Sequence, residues 1–376
     1  MNVIFTCGGT GGHINPAIAV ANLLKERHPD CNILFIGSQG HMEEKLVPQA
    51  GYELVCLPGS GLSRKLNFDG IKKNVKAVQN VFSAVSQCRK IIKDFKPDVI
   101  MGTGCYVSFP ALYTGSAMGI PTCIHESNAV PGLTNKVIAS RASRVMVSFP
   151  ESAKHYKDQG KVLTVGMPVR KEFILKEKEE AKRELGLDSR PVVVSAFGSL
   201  GARQMNFAVA DMFKLEKQDN SPFQHIHATG KFGWEWMPEH VASLGVDTAD
   251  GNIDMREYIY NMPTVMAAAD IIISRAGAST CNEIGASGTP SILIPSPNVT
   301  DNHQEKNARV LEKHGAAIVI TEDQCNGQVL YNAVQQLLAD HDRRSAMSSA
   351  VRQMVMLDSA ERICDILEEL SARKGK

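Results

Sequence analysis

The 376-residue sequence has no hydrophobic run of bilayer length, no CxxC pair and no Cys/His cluster at zinc spacing. It therefore predicts neither a membrane-spanning protein nor a zinc domain, and its nine scattered cysteines are expected to be reduced core thiols. The one DxD string, at 340–342, lies in a charged helical pattern away from any predicted strand end, so no metal site is expected. Met1 leads directly into strand-like residues without a basic leader, and we expect a cytosolic protein.

The length exceeds that of a usual single core, so two domains are expected. A content of 43% hydrophobic and 22% charged residues is typical of a soluble globular protein. The net charge of +1 hides an asymmetry, because residues 1–165 carry 18 basic and 11 acidic side chains and the remainder carries 23 and 29. A basic half can attract an anionic membrane, nucleic acid or a phosphorylated substrate, and a solvated face without a partner explains it equally well.

Residues 270–283 (DIIISRAGASTCNE) have the pattern of a strand, a small-residue loop and the start of a helix. The three isoleucines predict a parallel strand buried on both faces. Ser279 and Thr280 are candidate N-caps, so backbone N–H groups and hydroxyls collect at one strand end, where phosphate binds well. Glu283, one turn later, can accept two hydrogen bonds from a vicinal diol such as ribose. Alternatively, it only stabilises the helix dipole.

The loop at 8–13 (GGTGGH) follows a strand and precedes an amphipathic helix that Asn15 and Pro16 open. Four glycines in five residues let the backbone approach a bulky anion closely. A dinucleotide-binding fold would place an acidic residue after the second strand, but residues 33–36 lead into Gly37 and Ser38. This difference argues against NAD.

Further polar loops follow strand-like segments at 102–108, 125–128 and 198–203, and such loops gather along one edge of a doubly wound sheet. A second series of strand-like segments followed by polar loops begins near residue 165. We therefore predict two α/β domains with doubly wound parallel sheets that face each other across a cleft. Residues 1–164 form the first and 165–349 the second, and the last helix, near 350–376, packs back on the first.

Within residues 59–96, a polar, basic loop is followed by a long helical pattern with an apolar stripe. Lysines 72, 73 and 76 flank the start of the stripe. The stripe is either part of the core or, together with the lysines, a patch that lies on a membrane surface.

Five motifs in this order resemble the family of GT-B glycosyltransferases that move N-acetylglucosamine (GlcNAc) from UDP-GlcNAc to lipid I. They are 8–13 (GGTGGH), 125–128 (HESN) with 132–136 (GLTNK), 198–203 (GSLGAR), 274–280 (SRAGAST) with Glu283, and 301–304 (DNHQ) with Asn307. The resemblance covers residues 1 to about 370. It implies two Rossmann-like domains, an enzyme of peptidoglycan synthesis, and peripheral attachment to the anionic cytoplasmic face of the cell membrane.

The resemblance also implies which residues bind the donor. Ile259 presents its backbone to the uracil, Glu283 holds the ribose hydroxyls, and Gln304, with His303, contacts the sugar. Other donor-binding residues are Thr10, Gly11, Gly12, Asn128, Arg170, Ser199, Ala278, Ser279, Thr280, Cys281 and Asn282. Three positions in or next to these motifs differ from the family's usual residue. Phe197 replaces a glycine, Leu200 replaces a glutamine and Met167 replaces an asparagine.

The acceptor is expected to meet Gly102, Gly104 and Tyr106. Cys105 and Phe109 stand where the family usually has glycine, which leaves the shape of this loop open. The resemblance implies one inverting displacement by the C4 hydroxyl of the muramyl sugar, giving lipid II, with no cofactor, no metal and no nucleic-acid partner. His13 is the natural general base, although it could equally only fix the glycine loop; Glu126 is the reserve.

Two rival functions remain open. One is a related GT-B transferase that acts on diacylglycerol, and the motif at 301–304 favours GlcNAc transfer to lipid I over it. The other is a UDP-GlcNAc 2-epimerase, which shares the two-domain plan and the donor but needs no lipid acceptor. A non-catalytic nucleotide-binding module is disfavoured, because polar loops occur in both halves of the chain.

Overall fold

The computed structural model describes residues 1–58, 68–249 and 251–373, with the backbone alone for residues 68–78 and 175. The chain forms two compact units. The first comprises Met1–Val169 and Met356–Lys376, and the second comprises Arg170–Val355. The basic loop 59–67 lies outside the described residues, and so do the side chains of the three lysines beside the predicted apolar stripe. Of the stripe, only the residues from Val81 onward are described with side chains, and Val81 and Phe82 are exposed.

The first unit contains a seven-stranded parallel sheet in the order β3-β2-β1-β4-β5-β6-β7. The strands are β1 (Asn2–Thr6), β2 (Asn32–Ser38), β3 (Glu53–Leu57), β4 (Val99–Gly102), β5 (Thr122–Glu126), β6 (Arg144–Val147) and β7 (Val162–Thr164). The helices are α1 (Gly11–Arg27), α2 (Glu43–Gln49), α3 (Phe68–Phe95), α4 (Ser108–Ala117) and α5 (Leu133–Ile138). Short 3-10 helices cover Pro150–His155 and Gln159–Lys161.

The last helix, α16 (Ser359–Arg373), belongs to this first unit. Its buried face, which includes Ile363 and Leu367, packs in one core with Leu24 of α1 and Phe5 of β1. The Sγ of Cys364 lies 3.7 Å from the carbonyl oxygen of Val20. The C-terminal helix thus covers α1 and completes the hydrophobic core on that side of the sheet.

The second unit contains a six-stranded parallel sheet in the order β10-β9-β8-β11-β12-β13. Its strands are β8 (Val192–Ala196), β9 (Gln224–Ala228), β10 (Ile253–Arg256), β11 (Ile271–Ser274), β12 (Ser291–Leu293) and β13 (Ile318–Val319). Its helices are α6 (Glu172–Leu175), α7 (Lys178–Glu184), α8 (Arg203–Gln218), α9 (Lys231–Trp234), α10 (Met237–Ser243), α11 (Met262–Ala268), α12 (Ala278–Ser287), α13 (His303–Lys313), α14 (Gly327–Ala339) and α15 (His341–Gln353). Two 3-10 helices lie at Thr300–Asn302 and Glu322–Gln324.

Two helices begin earlier than the sequence suggests. α1 starts at Gly11 rather than at Asn15, because the N–H groups of His13 and Ile14 already donate to the carbonyl oxygen of Thr10. α12 starts at Ala278, and its N-cap is Gly277. The prediction that Ser279 and Thr280 cap this helix is therefore wrong: both lie in its first turn, where their own N–H groups are among the unpaired ones.

Within the described residues, no helix is both long enough and apolar enough to span a membrane. All nine cysteines are free thiols, and only Cys56 and Cys105 are partly exposed. Burial raises the pKa of the thiols, that of Cys281 to about 12.

Candidate functional site

In each unit, the strand order reverses beside the central strand, and the loops after the two strands at that point diverge. In the first unit the reversal separates β1 from β4, and in the second it separates β8 from β11. Ligands of open α/β sheets bind at the carboxyl ends of the strands where this reversal occurs. The candidate binding regions are therefore the loops after β1 and β4 in the first unit and the loops after β8 and β11 in the second.

The glycine loop after β1 is supported by a buried carboxylate that the sequence did not single out. Oε2 of Glu43 accepts a hydrogen bond from the N–H of Gly9 (3.1 Å), and Oε1 accepts from the N–H and hydroxyl of Ser38. A Cβ on Gly8 would lie 2.4 Å from Oε1 of Glu43, and Gly9 has φ +83°. Glycine is thus required here by a close approach and by a left-handed backbone.

The first turn of α1 carries His13 and turns unpaired N–H groups toward the end of the sheet. The Nδ1 of His13 lies 2.9 Å from the carbonyl oxygen of Thr103, and the hydroxyl of Thr103 donates to the carbonyl oxygen of His13. A carbonyl only accepts, so Nδ1 carries the proton of the neutral ring and Nε2 is the basic nitrogen. The glycine loop and the loop after β4 are joined through this pair.

Of the expected acceptor residues, Gly102 is the last residue of β4, and Gly104 and Tyr106 lie in the loop after it. Gly104 has φ +110°, and a Cβ there would lie 3.0 Å from Cε1 of His13. Cys105 has φ +69°, a left-handed conformation that costs a residue with a Cβ about 1 kcal/mol. The loop thus keeps a glycine-like shape although a cysteine occupies the position.

Tyr106 and Phe109 extend away from that strained turn. The hydroxyl of Tyr106 lies 3.1 Å from Nε2 of His41. The ring of Phe109 stacks on Tyr113, one turn further along α4, with centroids 5.5 Å apart. The larger side chain of Phe109 is therefore accommodated along the helix.

Glu126 at the end of β5 is buried and accepts four hydrogen bonds. Its Oε1 accepts from the backbone N–H (2.9 Å) and side-chain amide (3.2 Å) of Asn128, and its Oε2 accepts from the N–H of Gly132 and from Asn135. These contacts fix the loop that carries Asn128. Burial lowers the pKa of the neighbouring His125, whose Nε2 lies 2.8 Å from the carbonyl oxygen of Gly166. His125 is therefore a neutral core residue.

In the second unit, the loop after β8 contacts the loop after β9 through glycines. A Cβ on Gly201 would lie 2.1 Å from the carbonyl oxygen of Thr229, and one on Gly230 would lie 2.0 Å from the nitrogen of Gly201. The N–H of Lys231 donates to the carbonyl oxygen of Ser199 at 3.1 Å. Ser199 itself is exposed, at a position where its N–H and hydroxyl can meet a ligand.

The N-terminus of α12, directly after β11, combines three features of a nucleotide site. Its first N–H groups have no partner within the helix. The hydroxyl of Ser279 is buried and makes no hydrogen bond to any described residue. Desolvation raises the pKa of Glu283 from 4.5 to about 7, against the opposing effect of the nearby Arg170. An unpaired hydroxyl can donate to a phosphate, and a carboxylate deprived of water can accept from the hydroxyl groups of a ligand.

The remaining expected donor residues of this unit surround the same strand ends. Ile259 is buried in the loop after β10, between the exposed Tyr258 and Tyr260. Oε1 of Gln304 accepts from the N–H of Ser296 (2.9 Å) and so fixes the loop after β12. Cys281 and Asn282 are buried in α12, and the amide of Asn282 donates back to the carbonyl oxygen of Ala278.

The turn that leads into α13 is strained. Asp301 and Asn302 have φ +56° and +50°, two successive left-handed residues with side chains. Such conformations persist only where the surroundings enforce them, and they concentrate at ligand-binding sites. The turn places His303 and Gln304 in the first turn of α13.

Arg275 is a second residue that the sequence did not single out. It forms an ion pair with Glu322, donates to the carbonyl oxygen of Ile294 (3.1 Å) and lies over the ring of Phe197. These contacts tie the loop after β11 to the residues after β8 and β12. Phe197, in the place of a glycine, is buried in the core.

A cavity of about 470 Å³ lies near the amino ends of β11 and β12, away from the loops at their carboxyl ends. It is beside the C-terminal ends of α11 and α12. The lysine and arginine side chains that line it already bind groups of the protein itself. Lys178 pairs with Asp270, Lys176 pairs with Glu184, and Arg352 donates to the carbonyl oxygen of Ser287. These contacts favour a structural role for the cavity lining.

No group of three or more His, Cys, Asp and Glu side chains in the described part of the chain could hold a metal ion. Helix N-termini and Arg170, which is exposed at the start of the second unit, provide positive potential for an anion.

Comparison with known proteins agrees with this architecture. Residues 3–147 match the glycosyltransferase family 28 N-terminal domain, and residues 192–363 match the family 28 C-terminal domain. The crystal structure of Acinetobacter baumannii MurG superposes with a TM-score of 0.79 at 26% identity, covering 98% of this chain and 99% of that one. Two parallel-sheet α/β units with loops at their strand ends thus define a glycosyltransferase of the GT-B fold.

The sequence is 41% identical over 376 residues to the UDP-N-acetylglucosamine–N-acetylmuramyl-(pentapeptide) pyrophosphoryl-undecaprenol N-acetylglucosamine transferase of Acetivibrio thermocellus, covering both chains completely. The chain belongs to this family, the MurG family. A putative UDP-N-acetylglucosamine 2-epimerase from Listeria monocytogenes also superposes with a TM-score of 0.70, but at 12% identity this likeness shows the fold alone.

Proposed function

We propose that the protein transfers GlcNAc from UDP-GlcNAc to the C4 hydroxyl of the muramyl sugar of lipid I, with inversion at the anomeric carbon. Full-length identity of 41% to a transferase with this printed activity supports the reaction class and both substrates. The observation that carries the donor assignment is the N-terminus of α12, where the unpartnered hydroxyl of Ser279 and the high-pKa carboxylate of Glu283 lie within two turns.

The donor is assigned to the second unit on chemical grounds. The N–H groups at the start of α12 suit a diphosphate, because the helix dipole and unpaired donors both favour an anion. Glu283 lies one turn further and, as a carboxylate, accepts from both hydroxyls of a ribose. The backbone at Ile259 suits the uracil edge, Gln304 is assigned to the sugar, and Ser199 is assigned to the phosphates.

His13 is assigned as the general base. The bond from its Nδ1 to Thr103 leaves Nε2 as the basic nitrogen. In the proposed step, Nε2 takes the proton of the C4 hydroxyl while that oxygen bonds to the anomeric carbon. The bond from this carbon to the diphosphate oxygen breaks, and its electron pair leaves with UDP. Glu126 is the weaker candidate, because four hydrogen bonds already occupy its carboxylate.

The first unit also offers a surface for the anionic membrane in which a lipid acceptor resides. Phe82 of α3 and Leu133 and Val137 of α5 are 71%, 67% and 53% exposed, and both helices pack against α4. Lys136 and Lys90 are exposed on the same two helices. Apolar side chains beside lysines suit the interface of a bilayer with anionic headgroups. We therefore assign the protein to the cytoplasmic membrane face.

One assay separates this function from its rivals. The protein is incubated with UDP-GlcNAc alone, with lipid I, or with diacylglycerol, and UDP, the lipid product and UDP-ManNAc are each quantified. The proposal expects UDP and lipid II in equal amounts with lipid I only. Formation of UDP-ManNAc without acceptor would identify an epimerase, and a product with diacylglycerol alone would identify a different glycolipid transferase.

A further inference from the structure

Four polar side chains form a continuous chain inside the second unit, and the transfer step uses none of them. The Oγ of Ser195 lies 2.8 Å from Nε2 of His225 and 2.7 Å from Nδ1 of His227. The Nδ1 of His225 lies 2.7 Å from Oε1 of Glu216 on α8. The serine and both histidines are completely buried, and Glu216 is 5% exposed. We call Glu216, His225, Ser195 and His227 the buried relay.

The direction of the hydrogen bonds follows from the ends of the relay. The carboxylate of Glu216 only accepts, so Nδ1 of His225 carries a proton, and in the neutral ring Nε2 then accepts from the hydroxyl of Ser195. The oxygen of Ser195 then accepts from Nδ1 of His227. Burial lowers the pKa of His227 to about 3, so its ring stays neutral. All three hydrogen bonds therefore point the same way, which lets each one strengthen the next.

A serine, a histidine and a carboxylate in this order are also the components of a hydrolytic triad. That role is excluded here, because the serine hydroxyl has no exposed surface through which a substrate carbonyl could reach it. The rings of Phe213 and Phe223 pack against His225, with centroids 5.0 and 6.4 Å away. The relay thus holds core elements together.

The relay joins β8, which leads into the loop that carries Ser199, to β9, whose loop contacts that loop through glycines. Ser195 of β8 lies opposite His227 of β9 in the strand register. Three residues after each of them come Gly198 and Gly230, the glycines from which the loops diverge. A displacement of the Ser195–His227 pair would therefore be passed directly to both loops.

The same displacement would reach the loop after β10. The N–H groups of Thr229 and Gly230 donate to the carbonyl oxygens of Arg256 (2.9 Å) and Glu257 (3.0 Å). Ile259 follows two residues later. The loops that carry Ser199 and Ile259, here called the donor loops, are thus connected to the relay by short covalent and hydrogen-bonded paths.

We propose that the buried relay positions the donor loops, so that Ser195, His225, His227 and Glu216 set the affinity for the nucleotide without touching it. This inference rests on the proposed function, because it assigns the nucleotide to these loops. The relay residues are positioning residues, and their removal is expected to change donor binding and leave the chemical step intact.

The first test replaces the central member. Ser195→Ala removes one oxygen atom and with it two of the three hydrogen bonds. We expect the Kd for UDP, measured by calorimetry, and the KM for UDP-GlcNAc to rise about fivefold, the scale of one lost hydrogen bond. The kcat should change by less than about twofold. Ser291→Ala is the matched control, since Ser291 is equally buried in the same unit and its hydroxyl has no hydrogen-bond partner among the described residues.

A second pair of variants tests the far end of the relay. Glu216→Gln keeps an oxygen that accepts from His225, and it should bind UDP like the wild type; Glu216→Leu lacks one and should lose affinity like Ser195→Ala. Unchanged affinity in both Ser195→Ala and Glu216→Leu would overturn the inference. A fall in kcat at constant KM would overturn it as well, because it would indicate only loss of folded enzyme. Failure of the wild type to bind UDP would refute the proposed function and this inference with it.

Discussion

At the residue scale, desolvation of Glu283 destabilises the free protein, whereas the same carboxylate is expected to stabilise bound nucleotide. Burial desolvates its carboxylate, and ribose hydroxyls would supply the hydrogen bonds that burial removes. We expect Glu283→Ala to weaken UDP binding by about 1.5–3 kcal/mol, the range for hydrogen bonds to a charged group. Calorimetry with UDP measures this directly, and an unchanged affinity would remove Glu283 from the site.

The raised pKa of Glu283 also predicts a pH dependence of stability. Between pH 4.5 and about 7, the folded protein keeps a proton that the unfolded chain has lost, so stability falls as the pH rises through this window. The penalty is complete above pH 7. Glu283→Gln should therefore raise the free energy of unfolding at pH 8 by about 2–3 kcal/mol and change it little at pH 4. Equal effects at the two pH values in urea titrations without nucleotide would contradict the assigned desolvation.

His13 is the residue at which catalytic and structural roles are separated most clearly. If Nε2 is the base, His13→Ala should lower kcat by about 10²–10⁴-fold and leave UDP-GlcNAc affinity nearly unchanged. The wild-type kcat/KM should fall in acid, because a protonated ring cannot accept the acceptor's proton. A joint fall of donor affinity and melting temperature would instead show that the ring only fixes the loop at Thr103. Near-normal turnover would exclude both roles and make Glu126 the next candidate.

At the scale of elements, Glu43 joins the start of α2 to the glycine loop after β1. Glu43→Ala would leave the N–H groups of Gly9 and Ser38 without this buried acceptor. We expect a loss of about 2–4 kcal/mol in the free energy of unfolding, from several buried donors losing their acceptor. Glu44→Ala, one residue further on the same helix but exposed, is the matched control. Equal stability of the two variants in urea titrations would show that the carboxylate does not support the loop.

The sequence predicted several strands and the polar loops that follow them, because buried parallel strands are continuous apolar runs, as at Ile271–Ser274. It did not predict β3 or β10. It could not predict that Glu43 is buried, since a glutamate near a helix start is ordinarily exposed. The two helix starts were misplaced because Asn15 and Ser279 are good caps by residue type. In the structure, α1 begins earlier because backbone N–H groups donate to Thr10, and α12 begins after Gly277, which has an extended backbone.

The buried relay shows a different limit of sequence reasoning. Ser195, Glu216, His225 and His227 are spread over 33 positions and form no motif. Only the pairing of β8 with β9, and the packing of α8 on that face, bring them together. Polar side chains inside strands give no periodic signal by themselves, because their partners are chosen by tertiary contacts.

At the scale of the whole molecule, the assignment to a membrane surface predicts binding to anionic vesicles. Attraction of exposed lysines is screened within about 10 Å at 0.1 M salt, so flotation with phosphatidylglycerol liposomes should decrease steeply as salt is added. Leu133→Ser with Val137→Ser should weaken binding further, whereas Leu357→Ser, also an exposed leucine of the first unit, serves as control. Binding that is independent of salt and equal in both variants would contradict this surface.

The central claim is a single displacement that joins GlcNAc to lipid I. It is tested most directly by the linkage in the product, determined by nuclear magnetic resonance after reaction with UDP-GlcNAc and lipid I. The account predicts a β-linkage to C4 of the muramyl sugar and one UDP for each disaccharide formed, because one attack opposite the leaving diphosphate inverts the α-configured donor. An α-linkage, attachment at another hydroxyl, or release of free sugar without a lipid product would contradict it.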